Sequence, residues 1–161
     1  MAEIKQYLIT RIKDERFAFN ISYIERIVRD LKVTKVPNKI DYLEGVINVR
    51  NKVIPLINLR QKLFLNDKYD KDYVVIVTND GTGTLLGLIV DEVQEVISLS
   101  DSLIDNPLLF KSGFGQKIVD GIGKLESGLV IILNVLNLLT DEEKETVSTT
   151  MKKVEKNKSA S

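Results

Sequence analysis

The sequence predicts an all-β protein assembled from two divergent copies of one unit, and three observations carry that expectation. Short β-branched runs separated by turn residues dominate the chain. Convincing helical periodicity is scarce. One stretch near the middle returns near the C-terminus: Gly45 to Leu63, GVINVRNKVIPLINLRQKL, aligns without a gap with Gly121 to Leu139, GIGKLESGLVIILNVLNLL. Gly121 falls on Gly45, Leu129-Val130 on Val53-Ile54, Ile132-Leu133 on Leu56-Ile57, Asn134 on Asn58 and Leu139 on Leu63. A second match places Phe19-Asn20-Ile21-Ser22, leading into Ile24 and Ile27-Val28, on Leu88-Ile89-Val90-Asp91, leading into Val93 and Val96-Ile97. The chain therefore reads as two units of roughly 70 residues, about 6–68 and 69–140, forming two small barrels or sandwiches. A polar tail, 141–161, follows.

Taken in order, Gln6 to Ile12 alternates loosely, and Lys13-Asp14-Glu15 separates it from Arg16 to Phe19, which gives a hairpin with a charged turn. Ile21, Ile24, Ile27 and Val28 begin at helical spacing and then turn strand-like. One helical turn is expected at Ser22 to Glu25 and a strand from Arg26 to Leu31. Pro37-Asn38 breaks the chain, and Asp41 to Glu44 is expected as a turn of helix entering Gly45. In the central unit Val46, Ile47 and Val49 form a strand, Arg50-Asn51 a tight turn, and Val53 to Ile57 the returning strand. Asn51 is the expected φ > 0 residue, because after glycine an Asn side chain best tolerates the left-handed region. Pro55 has no N–H for a ladder, so its strand is expected at a sheet edge or with a bulge. Asn58 with Gln61 three residues on reads as an N-cap with a relaxed capping box, opening a helix over Leu59 to Leu65. Asn66 to Asp72 is a charged connection.

Tyr73 to Thr78 and Thr84 to Val90 make another hairpin around Asn79-Asp80-Gly81-Thr82-Gly83, and Glu92 to Leu99 alternates apolar with polar. Ser100 to Gln116, with Pro107, Gly113 and Gly115, is the length of irregular segment that is disordered or functional. Thr140 with Glu143 signals a helix start. That helix is expected to be short and the ending KKVEKNKSAS mobile, so removing everything beyond Thr140 is expected to leave the fold largely intact.

Of the 161 residues, 23 are basic and 23 acidic, so bulk charge gives no reason to expect nucleic acid or an anionic membrane as partner. There is no Cys, which excludes disulfides and thiolate chemistry and fits a reducing compartment. Nor is there any His, the commonest general base and metal ligand. No signal-peptide pattern or membrane-length apolar window occurs, so a soluble, cytoplasmic protein is expected.

Gly81-Thr82-Gly83 and Gly113-Phe114-Gly115 are the two places that suggest a phosphate cradle. Neither opens a helix after a parallel strand and no Lys-Ser/Thr follows, so they read as hairpin and loop glycines. Asp91 and Glu92 are adjacent in a strand and point to opposite faces, which makes a poor acid–base couple and reads as a solvated strand end. Asp101, Asp105, Asp120 and Glu126 lack metal-loop spacing. No catalytic group, metal or cofactor is therefore expected. Small barrels can bind single-stranded nucleic acid through aromatics in a basic groove, but aromatics are 6% here and basic residues are interspersed with acidic ones. What remains is protein recognition by sheet edges and barrel grooves.

Three segments in order, GVINVRNKVIPLINLR, LLGLIVDEVQEVISL and VDGIGKLESGLVIILNVLNLL, resemble the chemotaxis coupling protein (CheW-like) family, from about Gln6 to Leu139. The resemblance implies one CheW-like domain over 1–140 in which two five-stranded SH3-like β-barrels pack on each other, with exchange of elements between them left open. It implies a non-enzymatic adaptor without cofactor that couples chemoreceptors to the chemotaxis histidine kinase by binding both. The kinase's regulatory domain would sit on one barrel and the receptor's cytoplasmic tip in the groove between barrels, with neither nucleic acid nor membrane insertion involved. By motif position, Ile24, Val33 and Gly45 fall on the kinase side and Arg50, Val74, Gly87 and Val93 on the receptor side.

Each of these has a packing explanation beside it. Val33, Val74 and Val93 suit a core, and Gly45 and Gly87 suit a bulge or close packing. Arg50 is the one that packing explains poorly, since it is a long charged side chain at an apolar hairpin tip. The chain departs from the family pattern at Asn51, where Gly is usual, at Asn58 and Asn134, where Asp is usual, and at Arg26, where Glu is frequent and Glu25 stands one place early. Two rival readings are a coupling-like module of another signalling protein, whose partner domains this length does not accommodate, and a small β-barrel nucleic-acid binder.

Overall fold

The computed structural model describes residues 3–37, 40–64, 73–105 and 118–159, with side chains through Glu155. The β-branched runs become strands β1 (Ile4–Ile12), β2 (Glu15–Asn20), β3 (Ile24–Val28), β4 (Leu43–Val49), β5 (Lys52–Asn58), β6 (Val74–Asn79), β7 (Leu85–Val90), β8 (Glu92–Ser100), β9 (Ile104–Asp105), β10 (Val119–Leu125) and β11 (Gly128–Leu133). Helices α1 (Leu59–Phe64) and α2 (Asp141–Ser159) complete the described elements, with 3-10 turns at Ile21–Tyr23, Asp101–Leu103 and Val135–Asn137. The strands form two sheets, ordered β8-β1-β2-β11-β10-β9 and β3-β6-β7-β5-β4, the sheets of barrel 1 and barrel 2.

The two orders coincide when each strand is replaced by its repeat equivalent: β8 by β3, β1 by β6, β2 by β7, β11 by β5 and β10 by β4. Each barrel therefore takes its opening hairpin from one copy and its edge strand and closing hairpin from the other. The copies meet at two antiparallel pairings, β1 with β8 and β3 with β6, and at two parallel ones, Phe19 beside Leu133 in barrel 1 and Leu88 beside Ile57 in barrel 2.

Register is repeated down to its irregularities. The ladders shift between Leu43 and Gly45 and between Val119 and Gly121, a bulge at the same place in both copies. Glycine is required there: Gly45 has φ +149°, and a Cβ on it would run into the Thr34 carbonyl, while a Cβ on Gly121 would come within 2.9 Å of the Asp105 carbonyl oxygen. Past each bulge, the Asn58 amide donates to the Tyr42 carbonyl (2.8 Å) and the Asn134 amide to that of Ile118 (2.7 Å). The two Asn side chains donate to Glu44 and Asp120 (3.0 Å each). Two buried threonines also match: the Thr10 hydroxyl donates to the Phe17 carbonyl (2.9 Å) and that of Thr78 to Leu86 (3.2 Å).

Strand alternation splits the apolar residues into three cores. In β6, Val75 and Val77 point into barrel 2 with Ile47, Ile54 and Leu56, while Val74 and Ile76 point outward. In β2, Ala18 points into barrel 1 with Tyr7, Ile9 and Ile132, while Phe17 and Phe19 point outward. The outward sets meet in a layer between the barrels, and this double burial is why the strands read as unbroken apolar runs.

Several expectations are revised. The turn expected at Ser22 to Glu25 is a 3-10 turn at Ile21–Tyr23, capped by Asn20, whose side chain accepts the Ser22 amide at 3.0 Å. Instead of a helical turn at Asp41 to Glu44, the strand already starts at Leu43, because its cross-strand partner Ile57 extends the ladder past the bulge. Pro55 lies in an interior strand. Both polar backbone groups of its partner Val46 bond Thr34 on the far side, so Pro55 faces β4 at a position that needs no N–H, and the parallel ladder to β7 starts at Leu56. The tail helix is not short. It runs 19 residues and buries Val147 and Thr150. The Gly113–Gly115 pair, residues 65–72, most of the 100–116 segment and residues 160–161 lie outside the described residues.

Candidate partner-binding surfaces

Arg50 is exposed at the β4–β5 tip. Both turn residues are left-handed, Arg50 at φ 49° and Asn51 at φ 67°, as a two-residue type I′ hairpin requires. The turn thus asks for positive φ at Arg50 as well as at Asn51. No side chain covers Arg50 from its own strand pair, since its neighbours Asn48 and Lys52 are exposed too.

The other receptor-side candidates are more deeply placed. Val74 is buried in the inter-barrel layer and Val93 is half-buried against it. Gly87 is inside barrel 2, where a Cβ would lie 3.2 Å from both Leu56 and Val75 and 3.3 Å from Ile47. Substituting Gly87 or Val74 would therefore act first on packing.

Two of the three kinase-side candidates share a place. From β3 the chain runs to Thr34, which bridges β4 at Val46, and this contact closes barrel 2. Val33 and Gly45 lie beside that closing seam, whereas Ile24 opens β3 opposite Thr78 of β6. Ile24 is half-buried against the inter-barrel layer and Val33 against the barrel 2 core, while Gly45 is buried beneath Thr34. Ile24 and Val93, assigned to different partners, occupy equivalent positions of the two copies. Beyond each, the ladder shifts by a bulge, which makes Glu25 the extra residue and sets Arg26 opposite Val77.

Sequence reasoning missed Ile27 and Val96. They are equivalent residues of the edge strands β3 and β8, and they expose 41% and 47% of their surface. The signal was present in the repeat alignment, but apolar residues in alternating strands read as core.

Asp91 also departs from its reading as a solvated strand end: its side chain is 4% exposed, while that of Glu92 is 53%. It accepts the Lys13 amide at 2.6 Å and lies 3.5 Å from the Arg60 guanidinium and 3.8 Å from that of Arg11. A buried carboxylate persists only when paired and hydrogen-bonded. Here it fastens the β1–β2 turn and α1 to the strand that crosses between barrels. On α1, Lys62 pairs with Glu143 of α2 at 3.2 Å and stands over the Tyr42 ring at 4.2 Å. Burial lowers its pKa from the ordinary lysine value of 10.5. Among the described residues no cluster of three or more carboxylates is placed to hold a metal ion. No described helix is long and apolar enough to cross a membrane. The features that stand out are edges, a tip and grooves, which serve recognition.

Comparison with known proteins gives a consistent answer. The CheW-like domain model matches residues 6–143. The chemotaxis protein CheW of Helicobacter pylori is 36% identical over 140 residues, covering 85% of this chain and 82% of that protein. That of Klebsiella aerogenes is 31% identical over 140 residues, covering 86% and 84%. In structure, the scaffolding protein TtCheW from Thermoanaerobacter tengcongensis matches with a TM-score of 0.77 at 29% identity, over 84% of this chain and 92% of that one. The two exchanged barrels and the repeated bulged hairpin are thus those of a known family, and the chain belongs to the CheW-like domain family.

Proposed function

We propose that the protein is a non-enzymatic chemotaxis adaptor, cytoplasmic, that binds a chemoreceptor tip and the regulatory domain of the chemotaxis histidine kinase at the same time. The observation that carries the reading is the match of nearly the whole chain to proteins named as chemotaxis and scaffolding proteins. The geometry supports it through two separate presentable regions. On the kinase side, barrel 2 offers Val33 at its closing seam, where Gly45 keeps the chain close beneath Thr34, and Ile24 at the start of β3. On the receptor side, Arg50 offers a bidentate guanidinium at an exposed tip, while Val74 and Val93 shape the layer between barrels and Gly87 the barrel wall. Holding both partners on one rigid body raises their mutual concentration, so a change in the receptor can bias the kinase without any chemistry on the adaptor.

The test is titration of the full chain with a kinase regulatory domain and with a receptor tip, singly and together. The expected result is binding of each and a ternary complex in which neither displaces the other. Mutually exclusive binding, or none, would overturn the reading.

A further inference from the structure

Helix α2 is held by polar contacts at its start and by one narrow row of side chains along the rest. At its start the Thr140 hydroxyl accepts the Glu143 amide (3.1 Å) and the Glu143 carboxylate accepts the Thr140 amide (2.8 Å), a capping box. The same carboxylate takes the Lys62 ammonium of α1. Beyond that point Val147 and Thr150 are buried, with Thr146, Met151 and Val154 half-buried, a narrow row at helical spacing.

Open space flanks the helix on each side. A cleft of about 440 Å³ runs between α2 and barrel 2, walled by Pro55, Leu85, Leu86, Leu136, Leu139 and Met151. Another of about 630 Å³ opens toward Pro37. A third, of about 490 Å³, lies between Glu155 and the hairpin tip at Asn51 and Lys52. The family match ends at residue 143, at the end of the fastened portion.

We infer that α2 is a strap, hinged at Thr140–Glu143, lying in a groove where barrel 2 meets the inter-barrel layer, that this groove accepts an amphipathic helix of the receptor tip, and that receptor binding displaces α2. This rests on the receptor reading above. A helix is the occupant indicated because the groove already holds one through an apolar row, with Pro55, Leu85 and Leu86 beneath. The neighbouring cleft shares Leu85 with the groove and is lined by Asn51 and Lys52 of the turn that carries Arg50, so an incoming helix would pass beside the one accessible charged candidate. The strap then lowers apparent affinity by the fraction of time it is seated.

Hydrogen exchange on the full chain, free and saturated with the cytoplasmic tip of a chemoreceptor from the same organism, tests this. The expected result is that amides of residues 147–155 lose protection by about tenfold on binding while those of β5 and β7 keep theirs. Unchanged or increased protection of α2 with the tip bound overturns the strap but leaves the adaptor reading standing. Failure of the tip to bind at all overturns both. In parallel, Val147→Asp in the full chain should unseat the helix and raise affinity for the tip about tenfold, and equal or weaker affinity in the folded variant counts against the strap. The exchange measurement on the unaltered chain does not depend on that variant folding.

Discussion

Arg50 and the paired threonines show what a single residue does here. Arg50 stands exposed on a left-handed turn, so Arg50→Ala should change stability by no more than about 0.5 kcal/mol. If it anchors the receptor, the same change should cost about 2 kcal/mol of binding, roughly thirtyfold in affinity, with kinase binding unchanged. Titration against each partner separates the two effects, and an unaltered receptor affinity would return Arg50 to the ordinary solvated turn residues. Thr10 and Thr78 are the opposite case, fully buried with each hydroxyl spent on a carbonyl of the neighbouring strand. Replacement by Val keeps the shape and removes the bond, so Thr10→Val and Thr78→Val should each lose about 1 kcal/mol in urea unfolding. No loss at either position would mean the hydroxyls only fill space. This pair escaped sequence reading because the repeat alignment starts at Phe19 and Leu88. Upstream of it the β1–β2 turn is short while the β6–β7 turn carries Asp80 to Thr84, and the unequal turns hide the match.

For elements, legibility follows how local the cause is. The central hairpin, the helix after Asn58 and a bulge or close packing at Gly45 were readable, because turn residues, a cap and a missing Cβ act within a few positions. Asn58 does cap, accepting the Gln61 amide at 3.2 Å. At Gly45 and Gly81 the backbone is left-handed alike, but only Gly45 has a neighbour in the way: a Cβ at Gly81 meets nothing. Gly45→Ala should therefore cost about 2 kcal/mol or more and Gly81→Ala about 1 kcal/mol, read from denaturant midpoints. Equal losses would remove the Thr34 contact as the cause. Pro55 was misread because its tolerance depends on Thr34, which lies far off in sequence. For α2 the obstacle was composition. A helix whose inward row is Val147, Thr150, Met151 and Val154 among charged residues reads as solvated, although it settles onto the inter-barrel layer. Truncation after Thr140 should accordingly lower stability by about 2 kcal/mol, the worth of one buried valine and its half-buried neighbours. An unchanged unfolding midpoint would mean that α2 adds nothing to the folded state. The candidate sites were legible only as motif positions: the sequence could not tell Val74, which is buried, from Ile27, which is exposed, since both are apolar residues in strands.

At the scale of the whole molecule, the duplication was visible in the sequence, but the exchange of strands was not. Each copy contains one hairpin, one edge strand and one closing hairpin, enough by pattern alone to close its own barrel. The chain instead sends β3 to pair with β6 and β8 to pair with β1, so that β5 meets β7 and β11 meets β2 in parallel. That choice depends on where the connecting segments lead, which no local pattern encodes. It has a thermodynamic consequence. Barrel 1 cannot lose β1 and β2 without freeing β8 and β11, and these continue directly from β7 and into the Val135–Leu139 segment of the inter-barrel layer. Barrel 2 is bound to barrel 1 in the same way through β3 and β5. Neither barrel can unfold while the other keeps its strands, its seam and its share of the common layer. The chain should therefore unfold in one transition, with calorimetric and van't Hoff enthalpies equal, despite its two barrels. Two barrels joined as beads would give two transitions or a van't Hoff enthalpy near half the calorimetric one. Calorimetry on the full chain decides between them, and a split transition would show that the exchanged strands do not couple the barrels.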